Sequence, residues 1–181
     1  FFQKHKVPAL YRVHEGPSDQ KLENLKSYLN DMGLILGGGL KPSPKDYLAI
    51  MLQIKDRPDA SLIQMMMLRS MSQAVYQPDN EGHFGLAYPA YTHFTSPIRR
   101  YPDLMVHRAI RSIVRGAYEG KSAEQEKEIQ NTVKRVDGAS PLTKAEIYPY
   151  DTAALLQLGE QSSLTERRAD DATRDVMDFL K

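Results

Sequence analysis

The sequence has no cysteine among its 181 residues. That absence excludes a disulfide framework and a thiolate zinc site, and makes a reducing cytoplasm the expected location. No apolar run approaches the roughly 18–20 residues that a membrane-spanning helix needs, so no membrane partner is expected. Charge of one sign is also scarce: 24 basic side chains against 23 acidic ones leave a formal net charge of +1. A strongly basic coat for nucleic acid is thereby disfavoured, and local asymmetry becomes the useful quantity. Internal repeats and low-complexity tracts are missing too. What is present is an ordinary globular composition, 41% hydrophobic and 26% charged, in a chain long enough for one well-buried domain. The opening Phe1-Phe2-Gln3-Lys4 reads as the frayed end of a helix whose body lies upstream, so a fragment of a longer polypeptide is expected.

Periodicity and end signals give a mostly helical outline. Pro8 to His14 alternates apolar and polar residues and predicts a strand. Ser18 is a good N-cap for a helix from Asp19 to Met32, with Leu22, Leu25, Tyr28, Leu29 and Met32 on one face and Gly33 closing it. Pro44 opens a helix to Lys55, and Ser61 to Tyr76 predicts another, whose methionines (Met65, Met66, Met67, Met71) fill a core. His83 to Tyr88 predicts a short strand. Gly116 to about Tyr150 is Glu- and Lys-rich, then Gly- and Pro-containing, and is expected to be a variable, mobile insertion. Asp151 to Lys181 predicts one long helix. Its inner stripe of Leu155, Leu158, Ser162, Thr165, Ala169, Ala172, Val176 and Phe179 has small residues in the middle, where another backbone or a ligand could come close.

The most informative run is Tyr91-Thr-His-Phe-Thr-Ser-Pro-Ile-Arg-Arg-Tyr-Pro-Asp103. From Tyr91 to Arg115 it and the following helix carry five arginines, at 99, 100, 108, 111 and 115, against one acid, Asp103. Two hydroxyls, a histidine and an arginine pair at a helix entry suit a phosphate group, which the positive end of the helix dipole also favours. Adjacent residues diverge by about 100° on a helix, so one arginine faces the site and the other a wall. Pro102 would break a helix begun at Pro97; the regular helix therefore starts near Pro102 and leaves Thr95 to Tyr101 as a loop.

Other chemistry is weaker. Gly37-Gly38-Gly39 lacks the lysine and hydroxyl of a phosphate loop. His83, His93 and His107 have no compact metal-ligand spacing, and His107 fits a structural histidine oriented by Asp103 four residues earlier. Asp170, Asp171 and Asp175 alternate with arginines and suit a solvated, ion-paired helix face better than a magnesium site. The sequence offers no set of acids for a two-metal nuclease.

At the signature, the chain resembles the ribonuclease II/ribonuclease R family of hydrolytic 3′→5′ exoribonucleases, in its bacterial ribonuclease R branch. The match rests on Pro8-Ala-Leu-Tyr-Arg-Val-His14, His83-Phe-Gly-Leu86, His93 to Asp103 with His107-Arg108-Ala109, and Glu166-Arg-Arg-Ala-Asp170 continuing to Thr173-Arg-Asp-Val176. The resemblance implies that residues 1–181 are the C-terminal part of that family's catalytic domain, α+β and helix-dominated with a few short strands. It further implies single-stranded RNA, entered from its 3′ end, as substrate, and Mg²⁺ held by aspartates upstream of Phe1, with no metal ligand in this chain. The implied partners are the upstream half of the catalytic domain and flanking OB-type RNA-binding domains. Arg99 then takes the place of the catalytic arginine, with His93, Thr95, Ser96 and Arg100 as RNA-contacting or loop-holding residues. The ribonuclease II branch has a glutamate where Thr173 stands, so no role carries over to that residue. Two rivals remain: a non-catalytic RNA-binding or interaction module, and an unrelated phosphotransfer enzyme using His83 or His93.

Overall fold

A computed structural model describes residue 2 and residues 7–114 and 148–180. In chain order its elements are β1 (Tyr11–Val13), α1 (Asp19–Asp31), α2 (Pro44–Gln53), α3 (Ala60–Ser70), β2 (Val75–Gln77), a 3-10 turn (Phe84–Leu86), α4 (Tyr101–Val114) and α5 (Thr152–Phe179). β1 and β2 form a two-stranded sheet, so the fold is α+β and helix-dominated, as expected. No described helix is long and apolar enough to cross a membrane. The chain divides into two compact units: Arg12–Val75 with Asn80–Tyr91, and Phe1–Tyr11 with Tyr76–Asp79 and Thr92–Lys181.

The first, the three-helix unit, follows its end signals closely. α1 buries Leu22, Leu25 and Leu29, the face its spacing predicts. Gly33 adopts φ +73° and donates to the Asn30 carbonyl at 2.9 Å, while Leu34 N–H reaches Leu29 O at 2.8 Å. These are the two bonds of a Schellman stop, which needs a left-handed residue at that point. At α2, Ser43 N–H and Oγ both donate to Asp46 Oδ2, at 2.7 and 2.6 Å. The core joins the α1 leucines to Leu34, Leu36, Tyr47, Ile50, Ile54, Ile63 and Met67, with Met66 and Met71 packed against it. Methionine does fill this core, although Met65 remains exposed.

α3 stops at Ser70, six residues short of the expected end. Met71 turns extended, and Ser72 is fixed by tertiary bonds: its Oγ donates to Gly16 O at 2.7 Å and its carbonyl accepts from His14 Nε2 at 2.7 Å. The β-branched and aromatic pair Val75-Tyr76 then enters a strand. The strand expected over Pro8–His14 is confined to Tyr11–Val13, and the one expected over His83–Tyr88 is instead a 3-10 turn closed by Ala87 in the left-handed region, φ +56°.

In the second, the signature unit, α4 and α5 enclose a core of Phe2, Val7, Ala9, Leu10, Met105, Val106, Ala109, Tyr148 and Leu155. Asp151 caps α5 by accepting from Ala154 N–H at 2.8 Å. The buried positions of α5 are Leu155, Gly159 and Ser163, a spacing of four that replaces the predicted stripe. Ser162 and Leu158 are only half-buried, and every described residue from Arg167 to Leu180 is exposed. The close approach expected of small residues does occur, but at Gly159 and Ser163. Ser163 Oγ takes the Tyr76 N–H at 2.9 Å, and a Cβ on Gly159 would lie 2.4 Å from the Tyr76 carbonyl oxygen. Of the insertion expected over 116–150, residues 116–147 lie outside the described residues. Tyr148 is buried and its hydroxyl donates to Pro8 O at 2.6 Å.

Candidate functional site

The signature is a turn-rich loop that feeds α4 at Tyr101. Pro102 sits in the first helical turn, where its missing N–H costs no ladder bond. Upstream, Thr92 Oγ1 donates to the Leu10 carbonyl at 2.7 Å. His93 Nδ1 lies 2.8 Å from the hydroxyl of buried Tyr76, the rings meeting edge to face at 5.6 Å. Phe94 stacks on His107 at 4.4 Å, and His107 Nε2 is 3.0 Å from the Phe94 carbonyl. A carbonyl only accepts, so Nε2 carries the proton. His107 is thus oriented by the loop and not by Asp103, which corrects the expectation from the i,i+4 spacing: Asp103 is taken up elsewhere.

Asp103 is the internal anchor of the site. It is fully buried, and its Oδ1 accepts the Ser96 N–H at 2.7 Å and Arg100 Nη2 at 2.8 Å. The Arg99 and Arg100 N–H groups both reach back to the Ser96 carbonyl, at 3.3 and 3.0 Å. The negative charge that complements the start of α4 is therefore the chain's own carboxylate. Arg108 is also engaged: Nη1 donates to the Tyr150 hydroxyl at 2.6 Å, with the guanidinium 5.9 Å from the Tyr101 ring centroid.

Against this fixed background three polar groups are left open. Arg99 and Thr95 are exposed and Ser96 is half-buried. Their side chains make no hydrogen bond or ion pair among the described residues. The arginine pair divides, with Arg100 held by Asp103 and Arg99 outward, although both stand in the loop before α4 and not on the helix. His93, Thr95, Ser96, Arg99 and Arg100 all belong to the same loop of one unit.

The remaining candidates lie elsewhere. His83 belongs to the three-helix unit, its ring centroid 4.9 Å from that of His14. Burial first, then electrostatic effects of the neighbouring His14 ring and the Arg12 guanidinium, holds its pKa below the ordinary histidine value. Asp46 fills the space beside Gly37 and Gly38, and hydrogen bonds from Ser43 keep its carboxyl below the usual range; a carboxylate there repels phosphate. On α5, Asp171 ion-pairs with Arg174, and Thr173 Oγ1 donates to the Ala169 carbonyl at 2.9 Å. Among the described residues no three His, Asp or Glu side chains converge as a metal site requires. These residues do not fit a magnesium centre, and no chemical step is assigned to a metal through them.

Sequence reasoning missed Tyr76, Gly159 and Ser163, which brace His93 from behind. An isolated glycine inside a long helical pattern was the available signal, since it marks close backbone approach.

The structure thus defines a helix-dominated α+β protein with one exposed arginine on a braced loop. Comparison with known proteins gives its family. The family model described as the RNB domain matches residues 1–116, and this chain belongs to that family. It is 51% identical to Ribonuclease R of Vibrio cholerae over 179 residues, 99% of this chain and 20% of that protein. It is 47% identical to Ribonuclease R of Escherichia coli over 181 residues, 100% of this chain and again 20% of the relative. The chain thus spans about a fifth of the length of the curated relatives it matches. Its fold matches Mycoplasma genitalium RNase R, solved in complex with double-stranded RNA, with a TM-score of 0.73 at 22% identity, covering 99% of this chain and 28% of that one.

Proposed function

We propose that this chain is the C-terminal part of the catalytic domain of a cytoplasmic ribonuclease R-type enzyme. The parent enzyme is a processive 3′→5′ exoribonuclease that hydrolyses single-stranded RNA to 5′-mononucleotides. Magnesium is supplied by ligands in the upstream half of the domain, and OB-type domains of the same polypeptide deliver the RNA. The reading draws support from the family match and from relatives that carry the name Ribonuclease R over the whole of this chain.

The observation that carries the assignment of Arg99 is its contrast with Arg100. Arg100 is committed to buried Asp103, whereas Arg99 is exposed and has no side-chain partner among the described residues, on a loop that its neighbours hold fixed. A donor fixed before reaction stabilises developing charge without reorganising. Arg99 directs its guanidinium at the phosphate oxygens of the last phosphodiester as charge builds there, worth about 2–4 kcal/mol of barrier. Thr95 and Ser96 contact the same strand. His93 and Arg100 hold the loop, through Tyr76 and Asp103.

Arg99→Ala in the full-length enzyme, followed by single-turnover cleavage and RNA binding, tests this. Cleavage is expected to slow by about 100- to 1000-fold with RNA affinity largely kept. Loss of affinity equal to the loss of rate would reduce Arg99 to a simple phosphate contact. The lack of a converging acid set among the described residues favours a second description for these 181 residues alone: a module that binds RNA weakly and cuts nothing. Cleavage by the isolated chain with added Mg²⁺ would overturn the upstream placement of the metal.

A further inference from the structure

The three-helix unit carries a wide-mouthed, shallow cavity of about 850 Å³. One wall is a tight hairpin, Asn80 to Pro89, built to present an aromatic ring. His83 and Tyr88 exchange backbone bonds at 2.9 and 3.2 Å. Asn80 braces both ends, accepting the Gly82 N–H at 3.1 Å and donating to the Pro89 carbonyl at 3.0 Å. Between them Ala87 is held at φ +56°, the sole non-glycine residue with positive φ among those described. Left-handed backbone is unfavourable for alanine and persists where its surroundings enforce it, commonly at binding sites. Its effect here is to set Tyr88 at the cavity wall with 55% of its surface exposed. Behind it Tyr91 packs against both Tyr88 and His83, at 6.3 and 5.2 Å between centroids.

We propose that this cavity is a nucleobase-stacking subsite, in which a base of single-stranded RNA lies against the Tyr88 ring. The inference rests on the RNA-degrading reading above and extends it to a second place on the chain. A braced, exposed tyrosine offers a flat face at little entropic cost, the usual platform for an unpaired base. Glu15, Glu81 and Lys45 also line the cavity; the two carboxylates outnumber the one ammonium, which disfavours a backbone phosphate, and they accept from exocyclic amines of a base.

The test is binding of a fluorescein-labelled oligoadenylate, and separately of AMP, to the full-length protein in EDTA. Tyr88→Ala is expected to weaken oligoadenylate binding about tenfold, and Tyr88→Phe to keep it. Wild-type affinity in Tyr88→Ala overturns the subsite and leaves the exoribonuclease reading standing, whereas no binding by the wild-type protein overturns that reading first. Loss in Tyr88→Phe equal to that in Tyr88→Ala makes the hydroxyl the contact and overturns stacking. A Tyr88-dependent loss confined to AMP overturns the assignment to an RNA strand in favour of a free nucleotide.

Discussion

Arg100 Nη2 lies 2.8 Å from Asp103 Oδ1, and the Asp103 side chain has no exposed surface while that of Arg100 keeps 23%. The pair is joined through one oxygen: Arg100 Nε and Asp103 Oδ2 are buried without a hydrogen-bond partner among the described residues. A side-on fork would use both of those atoms. It does not close because Oδ1 also serves the Ser96 N–H, so the carboxylate is oriented by the loop as much as by the arginine.

Asp103→Ala strands a largely buried guanidinium and a loop N–H together. We expect it to lower the unfolding free energy by about 3 kcal/mol, the usual scale for removing one member of a buried pair. Asp103→Asn keeps an acceptor oxygen in the Oδ1 position for both donors, loses only the charge, and costs less. Urea unfolding of both variants measures the difference, and an alanine variant as stable as wild type would rule out the anchoring role.

The two adjacent arginines should separate in the same experiment. Arg99→Ala removes an exposed side chain with no partner among the described residues and is expected to shift stability by no more than about 0.5 kcal/mol. Arg100→Ala leaves Asp103 buried and uncompensated, and should cost several times as much. Equal midpoints for the two variants would contradict the division of labour between them.

Gly159→Ala sets two effects against each other. Alanine is the better helix former by about 1 kcal/mol, yet its Cβ would meet the Tyr76 carbonyl oxygen at 2.4 Å. Because the obstacle is backbone, the clash wins, and a net loss of about 1–3 kcal/mol is expected. The shift also disturbs the Tyr76–His93 bond, so cleavage by the full-length enzyme should fall with stability. A raised Tm would show that α5 has room to move.

His83 makes stability pH-dependent. Its folded pKa lies below the unfolded value of 6.5, so the unfolded chain binds the extra proton as pH falls. Its contribution is therefore complete above about pH 6.5 and is lost as pH drops through the folded value. His83→Gln should flatten that part of the profile, as read from denaturation midpoints between pH 7.5 and 5. An unchanged slope would assign the acid sensitivity to other groups.

The parts legible in the sequence were those encoded locally. Caps, prolines and the spacing of leucines located α1 and α2, because each signal acts within a turn or two. The start of the helix near Pro102 was legible too, but both arginines precede it, and the Arg100–Asp103 contact, not helical divergence, separates them. What escaped was set by distant partners. Tyr76 continued a helical pattern until Ser163 took its N–H and Ser72 was tied to His14 and Gly16. Gly159 carries no hydrophobicity, so a pattern of apolar residues passed over the position that faces the core. His107 stood at the right spacing for Asp103, but Phe94, thirteen residues back, offered both a ring and a carbonyl.

The half of α5 beyond Glu166 has every described residue exposed, Phe179 at 90% and Leu180 at 72% among them. Helices in water hold together through the face they bury more than through propensity. The stretch from Leu155 to Ser163 is sewn to the rest of its unit, whereas none of the described residues beyond Glu166 buries its side chain. Amide hydrogens along this one helix should therefore exchange as a graded series, slow near Gly159 and progressively faster toward Leu180, so that a single element records how far the order of the core reaches.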